Sequence, residues 1–319
     1  MKADQEEQKD FVAEPAARID GIDCYEVEEY YWREVSLHEA ATLTELAKSI
    51  GWRRAVLTLQ NRGLIGYITD PIRTRFLDLL TIRRGARVLD LGAGWGSLSI
   101  QIAKRYPSTT VYAFDMTLEG LRFLDVVRGQ QDLSNLRIAK ARADRMPLAD
   151  GSMDVVLMIG VFEWVGESIV NTSPLAAQQA VLAEVRRVLK PGGKLVMGIE
   201  NRYSYKYLGG KPEHSHIRFG SVLPKGIVSL FSRSLLGKEY RTYIYSRGEY
   251  AKILKGAGYE KMSFFGAYPD YRFPRVISDL GSMGDFWREA HARGSGILKR
   301  LPNGLASRIV PSYFIIAER

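Results

Sequence analysis

The sequence predicts an α/β chain: a doubly wound, mostly parallel, seven-stranded sheet with inserted helical or loop lid segments. Three observations predict it. Short apolar runs alternate with stretches of helical spacing through the middle of the 319 residues. A glycine cluster, Gly92-Ala93-Gly94-Trp95-Gly96, stands where the first such run gives way to a helical pattern. The run Asp154 to Gly160 is apolar after its first residue, as for a strand buried on both faces. Alternation of this kind implies right-handed crossovers and an open parallel sheet with helices on both sides.

Taken in order, residues 1–20 are polar, charged and aperiodic, and read as a tail. Residues 21–80 read as an N-terminal helical cap, in which Leu43, Leu46, Ala47 and Ile50 share one face. The main domain is then 81–319. Its first strand is Arg87 to Leu91, followed by a helix from Ser97 to Lys104. Thr110 to Asp115 and Leu136 to Ala139 are strands, with a helix from Leu118 to Val127 between them. After the strand 154–160, Ser173 can cap a helix that has Pro174 at its first position. Leu175, Leu182, Val185 and Leu189 form that helix's stripe. Lys190-Pro191-Gly192-Gly193 ends it and turns into the strand Lys194 to Ile199. Ser246 to Gly258 reads as a helix, and Lys261 to Gly266 and Ser312 to Ala317 as the last strands. Two long inserts remain, 201–245 and 267–308, and connections of that length usually carry function or structure of their own.

Composition narrows the function. The longest apolar run, Val155 to Phe162, is too short to span a bilayer, and the opening residues hold no apolar stretch that would make a secretory signal. Cys24 is the single cysteine, which excludes an internal disulfide and a multi-cysteine metal site; no metal is expected. A cytoplasmic location follows as the expectation. The net charge is +9, yet residues 1–40 sum to −8 and residues 201–319 to +11. A basic C-terminal part suits an anionic partner or is an ordinary solvated face.

The glycine cluster follows a strand and opens a helix, the place where open α/β sheets bind ligands. Gly92, Gly94 and Gly96 are spaced G-x-G-x-G, so the dinucleotide spacing fails at Ser97, and no G-K-[ST] follows to make a P-loop. Asp90 precedes the cluster, where a carboxylate suits an ammonium group better than a pyrophosphate.

With these residues, roughly 85–200 resembles the class I S-adenosylmethionine-dependent methyltransferases, with weaker echoes at 246–266 and 310–318. Asp90 to Gly96 is similar to the family's first motif. The resemblance implies a Rossmann-like methyltransferase fold and S-adenosyl-L-methionine as cofactor. It places Asp115 on the ribose hydroxyls with Met116 beside it, and Asp144, next to Arg145, on the adenine amino group. It places Gly160 along the methionine portion.

The acceptor is less sharply marked. The segment Gly160-Val161-Phe162-Glu163-Trp164 does not match the motif of amino-group DNA methyltransferases, and no cysteine stands near these motifs for a cytosine-C5 mechanism. Ten of the seventeen tyrosines fall between 203 and 271, interleaved with Arg202, Lys206, Lys211, Arg218, Arg241 and Arg247. That favours a ringed, anionic small molecule or glycan, since tyrosine stacks on rings and donates from its rim. The runs 199–202, 207–210 and 268–274 are similar to bacterial methyltransferases of glycan and lipopolysaccharide biosynthesis clusters. This resemblance implies O-methylation of a sugar, sugar nucleotide or glycan terminus. A hydroxyl acceptor needs a base, and His214, His216 and Glu163 are the candidates.

Three alternatives stay open. An RNA methyltransferase would use the basic C-terminal part as a phosphate track, although no RNA-binding module is visible and nucleic acid is the less favoured partner. A lipid- or quinone-type enzyme would make peripheral membrane contact through 226–236, which reads more readily as an amphipathic lid. A non-catalytic member would bind the cofactor alone.

Overall fold

Val88, Leu89 and Leu91 are buried with Asp90 between them, so the first strand of the predicted sheet has no solvated face. The computed structural model describes residues 11–28, 35–214, 216–280, 305 and 307–319. Two units divide the chain: residues 1–157 with 187–194, and 158–186 with 195–319. Two strands pass from one unit to the other along the chain.

The first unit opens with β1 (Ala17–Ile19) and β2 (Ile22–Cys24), then α1 (Leu37–Ile50), α2 (Trp52–Leu57), α3 (Arg62–Thr69) and a 3-10 helix (Pro71–Leu79). The alternating part follows: β3 (Arg87–Leu91), α4 (Ser97–Arg105), β4 (Thr110–Asp115), α5 (Leu118–Gln130), β5 (Leu136–Lys140) and β6 (Met153–Ile159). Strand order is β1-β2-β5-β4-β3-β6. β2–β5, β5–β4, β4–β3 and β3–β6 are parallel, and β1–β2 is an antiparallel hairpin. The register Asp90↔Ala113 and Asp90↔Leu157 sets the carboxyl end of β3 between its two neighbours.

The second unit holds a 3-10 turn (Phe162–Trp164), α6 (Val165–Ser168), most of α7 (Pro174–Val188) and the end of β7 (Leu189–Glu200). It continues with α8 (Tyr205–Leu208), α9 (Lys225–Leu236), α10 (Arg247–Gly256), β8 (Lys261–Tyr268), β9 (Val276–Asp279) and β10 (Ser312–Glu318). Strand order here is β7-β10-β8-β9, with β8 antiparallel to both its neighbours.

The α/β class and the methyltransferase-like alternation hold, but two expectations need correction. Ten strands are present among the described residues where seven were predicted, and antiparallel pairing is more extensive than a mostly parallel sheet implies. The additions are β1, β2 and β9, each three or four residues long. Runs that short carry no readable alternation, and their strand state is set by pairing partners rather than by local pattern.

Smaller differences have local causes. Residues 1–10 of the predicted tail lie outside the described residues; beyond them, Phe11 stacks on Tyr25 and Ala17–Ile19 pairs as β1. The predicted cap, 21–80, includes β2, which pairs between β1 and β5, and its helices are tied to α5. Gln130 accepts from the Trp52 amide at 2.9 Å and donates to the Ala47 carbonyl at 2.6 Å. In α1 the buried face is Ala40, Leu43, Thr44 and Ala47, whereas Ile50 is exposed; Thr44 is tolerated inside because its hydroxyl donates to the Ala40 carbonyl. Leu175 is exposed in the first turn of α7, where Pro174, Ala177 and Gln178 face inward instead. The Lys190–Gly193 turn is drawn into β7, with Gly192 in the left-handed region. Of the insert 267–308, residues 281–304 and 306 lie outside the described residues. Capping boxes at Ser36/Glu39 and Ser246/Glu249 start α1 and α10, each cap contributing about 1 kcal/mol.

Candidate functional site

In the first unit the loop between β3 and α4 is built from backbone groups. Gly92, Gly94 and Gly96 all have positive φ, so each occupies a conformation that L side chains rarely adopt. The amides of Gly92 and Ala93 both donate to the Phe114 carbonyl, at 2.8 and 2.9 Å, which turns the chain sharply at the strand end. Gly96 is needed a second time for packing: a Cβ there would stand 2.1 Å from Leu124 Cδ1 of α5. A Cβ on Gly94, by contrast, meets nothing within 4 Å, so the loop is open on that side.

Asp115, at the end of β4, holds this loop. Its Oδ2 accepts from the Gly94 amide at 2.8 Å and its Oδ1 from the Thr117 amide at 2.7 Å. Burial raises its carboxyl above the ordinary range, and the amides of Thr117 and Gly94 oppose that rise. A carboxylate has about four acceptor sites, so lone pairs remain on both oxygens. Met116, half-buried, follows it directly.

Asp90 is placed differently from the expectation of an ammonium contact. It is 2% exposed, and the Ser99 hydroxyl donates to its Oδ2 at 2.5 Å, tying β3 to the first turn of α4. Burial pushes its carboxyl up to about 6. Asp144 is held by the fork of Arg142, with Nε to Oδ1 and Nη2 to Oδ2 both at 2.9 Å. Arg142 also lies near Glu28 and Glu26, while Arg145 projects outward and reaches Glu26 at 3.4 Å.

The second unit gathers a different chemistry around the turn after β6. Gly160 is left-handed, and a Cβ there would lie 2.7 Å from the Tyr271 hydroxyl. That hydroxyl donates to Glu163 Oε1 at 3.1 Å. Glu163 is fully buried, and its Oε2 has no hydrogen-bond partner among the described residues. His214 Nε2 lies 3.1 Å from Glu200 Oε2 and 4.0 Å from Glu163 Oε1. Both are ion-pair contacts; the imidazole is not aligned for a full hydrogen bond to either oxygen. The Tyr207 hydroxyl donates to the same Glu200 oxygen, and Trp164 packs on the imidazole at 4.4 Å between ring centres.

The electrostatics of the two carboxylates diverge. Burial pushes Glu163 up to about 7, against the attraction of His214. Glu200 is also desolvated, but His214 and Tyr207 outweigh that and hold it below the carboxylate range. Burial alone would lower His214, yet Glu200, Glu163 and Glu213 together raise it.

The structure therefore brings His214 and Glu163 together and leaves His216 apart, exposed and left-handed on the loop. Glu200, Tyr207 and Tyr271 were not singled out by the sequence reading. The available signal was a glutamate ending an unbroken apolar strand at Ile199-Glu200, which is costly unless the acid is partnered. Gly120 was missed too: a Cβ there would stand 2.6 Å from the Gly94 carbonyl, so α5 needs glycine to let the loop approach.

The tyrosine- and arginine-rich insert is placed differently from a ligand-facing surface. Tyr207, Tyr240, Tyr245, Tyr250, Tyr259, Tyr268 and Tyr271 are buried. Arg202 donates to the carbonyls of Ser221 and Leu223 and pairs with Glu249. Arg241 donates to the carbonyls of Gly166, Ile169 and Thr172, and Lys206 to that of Pro269. These cations hold the chain's own backbone, which removes them from a track for phosphates. No described helix is long and apolar enough to cross a membrane.

Residues 82–215 match a family model described as a methyltransferase domain. The malonyl-[acyl-carrier protein] O-methyltransferase of Geobacter sulfurreducens is 26% identical over 246 residues, 72% of this chain and 81% of that protein. The demethylmenaquinone methyltransferase of Chlorobaculum parvum is 31% identical over 186 residues, 57% of this chain and 69% of that protein. A solved S-adenosylmethionine-dependent methyltransferase from Aquifex aeolicus is 16% identical, with a TM-score of 0.46, covering 83% of this chain and 97% of its own.

Proposed function

The chain belongs to the class I S-adenosylmethionine-dependent methyltransferases, and on that premise we propose that it methylates a hydroxyl oxygen of a small acceptor. The cofactor fits the first unit: Asp115 keeps acceptor sites for two ribose hydroxyls, and the side of Gly94 where a Cβ would stand is open. The backbone of Gly92, Gly94 and Gly96, with Met116, would line it. Asp144 and Arg145 would stand at the adenine, with Asp144 already fixed by Arg142. The motif match adds Gly160 for the methionine portion. Asp90 would act through Ser99, by fixing the start of α4, rather than by touching an ammonium group. When bound, S-adenosylmethionine supplies a methyl group already activated on a cationic sulfur.

The chain's own work is then to position the acceptor, exclude water and take a proton. The observation that carries the hydroxyl reading is Glu163, wholly buried with an unpartnered oxygen beside His214 and Glu200. A carboxylate acceptor needs no base and would be repelled by two glutamates, so this cluster suits a neutral hydroxyl. A sugar or glycan-terminal hydroxyl is our first assignment, from the likeness of 199–202, 207–210 and 268–274 to glycan-cluster enzymes. The engaged arginines favour a neutral acceptor over an anionic one. His216 drops out as a base because it is not in the cluster.

A second reading has its own observation. α9 exposes Ile227, Leu230, Phe231, Leu235 and Leu236, an apolar face suited to a prenylated quinol or a lipid surface. Incubation with S-adenosylmethionine and a panel of sugar nucleotides, glycan termini, prenylated naphthols and malonyl thioesters, read by mass spectrometry, separates these. Methylation of the malonyl thioester alone would contradict the hydroxyl reading.

A further inference from the structure

Two carboxylates flank one imidazole nitrogen in the second unit, and their surroundings are unequal. Glu200 receives the Tyr207 hydroxyl on the same oxygen that lies 3.1 Å from His214 Nε2. Glu163 receives the Tyr271 hydroxyl on Oε1, and its Oε2 is buried without a partner among the described residues. An imidazole wedged beside an anchored carboxylate keeps its proton, because losing it would remove the nearest positive charge from the buried Glu200. It is then unable to serve as a base. The unpartnered oxygen belongs to the other carboxylate.

Resting on the hydroxyl-methylation reading above, we propose that Glu163 Oε2 takes the acceptor's proton, while Glu200 and Tyr207 are positioning residues that hold His214 as a fixed cation. As the acceptor oxygen bonds to the methyl carbon, its O–H proton passes to Glu163 Oε2. The bound cofactor would supply the methyl group and keep the electron pair of the carbon–sulfur bond, and the protonated Glu163 returns its proton to water once product leaves. His214 carries positive charge throughout and keeps the ionised state of Glu163 accessible in a dry surrounding.

Other groups facing this centre are consistent with the assignment. Tyr250, buried on α10, faces Glu163 as a neutral phenol because burial raises it well above its ordinary range, and Tyr271 faces it as a hydrogen-bond donor. Glu213 adds negative potential at His214, and Arg272 adds positive potential at Glu200. Burial raises Glu163 to near neutrality, where a carboxylate is a competent proton acceptor, whereas His214 is raised in the direction that keeps it charged.

The charge assignment can be read without any acceptor. The full-length chain carries four histidines, so imidazole nitrogen resonances can be assigned by a His214→Gln variant and titrated by nuclear magnetic resonance, alongside carbon-13-labelled glutamate carboxyls. His214 is expected to keep its proton above the ordinary range of an imidazole. One glutamate carboxyl is expected to titrate near pH 7 and to vanish in Glu163→Gln. In Glu200→Gln the His214 midpoint should fall by at least tenfold in proton affinity, and Glu200→Asp should restore part of it, which a purely structural role would not do. If Glu200→Gln fails to fold, Tyr207→Phe and the unmodified chain still give the comparison. A His214 that is neutral at pH 7, or glutamate carboxyls that all titrate below pH 5, would overturn the proposal. The failure of every hydroxyl acceptor in the mass-spectrometric panel would instead count against the hydroxyl reading, whatever the titrations give.

Discussion

The Gly94 amide donates to Asp115 Oδ2 at 2.8 Å, so the residue proposed to hold the ribose also holds the loop that would surround the cofactor. Loop shape and the proposed ribose contact thereby depend on one carboxylate. A change that shifts the Gly94 backbone should weaken cofactor binding even if it touches no ligand atom.

Gly120→Ala tests that coupling. The added Cβ would stand 2.6 Å from the Gly94 carbonyl, a backbone atom that can yield only by moving the loop. Alanine also favours the helix over glycine by about 1 kcal/mol, which offsets part of the overpacking cost of about 1–3 kcal/mol. Calorimetry should therefore show S-adenosylmethionine affinity reduced tenfold or more, with a melting temperature close to that of the unchanged chain. Unchanged affinity would show that the loop and α5 are not in register as described.

Glu163 sets a pH dependence of stability. Its carboxyl is pushed up to about 7 by burial from an ordinary value near 4.5, so folding favours its protonated form. That contribution is complete below the ordinary value and is lost as pH rises through about 7. Its full size is on the order of 3 kcal/mol. His214, also raised, acts in the same direction. Melting temperature should decline from pH 5 to pH 8, and Glu163→Gln should flatten that decline. A rising profile, or one the substitution leaves intact, contradicts the burial account.

Much of this was legible from residues alone, and the reasons differ by element. β3, β4, α4 and α5 could be read because apolar period and glycine punctuation agree locally, and the structure places β3 and β4 at the predicted bounds. The loop at 92–96 could be read because glycine leaves a spacing signature that few other roles produce. β1, β2 and β9 could not, since three or four residues acquire strand geometry only from a partner. The acidic cluster could not either: Glu163, Glu200, His214 and Tyr271 are scattered over more than a hundred residues and meet only when the second unit folds. The insert's cations misled for a related reason. Charge is visible in a sequence, but a guanidinium turned inward onto carbonyls, as in Arg202 and Arg241, is indistinguishable there from one facing solvent.

Arg202 anchors the insert 203–223 from beneath. It is 7% exposed and joins the Ser221 and Leu223 carbonyls to Glu249, which also caps α10. Arg202→Ala leaves the buried carbonyls without their donor, a loss of about 1–3 kcal/mol, to which the half-exposed Glu249 adds little. Limited trypsin digestion should cut within 206–238 markedly faster than in the unchanged chain. Equal cutting rates would mean that the insert is held by other contacts.

The most direct test is calorimetric titration of S-adenosylmethionine into the unchanged chain and into Asp115→Ala. The unchanged chain should bind, and the variant should lose about 1.5–3 kcal/mol of binding free energy, as for a charge-assisted hydrogen bond removed from a ligand. Binding of equal strength in both, or none in the unchanged chain, would contradict the placement of the cofactor on the loop that Asp115 holds.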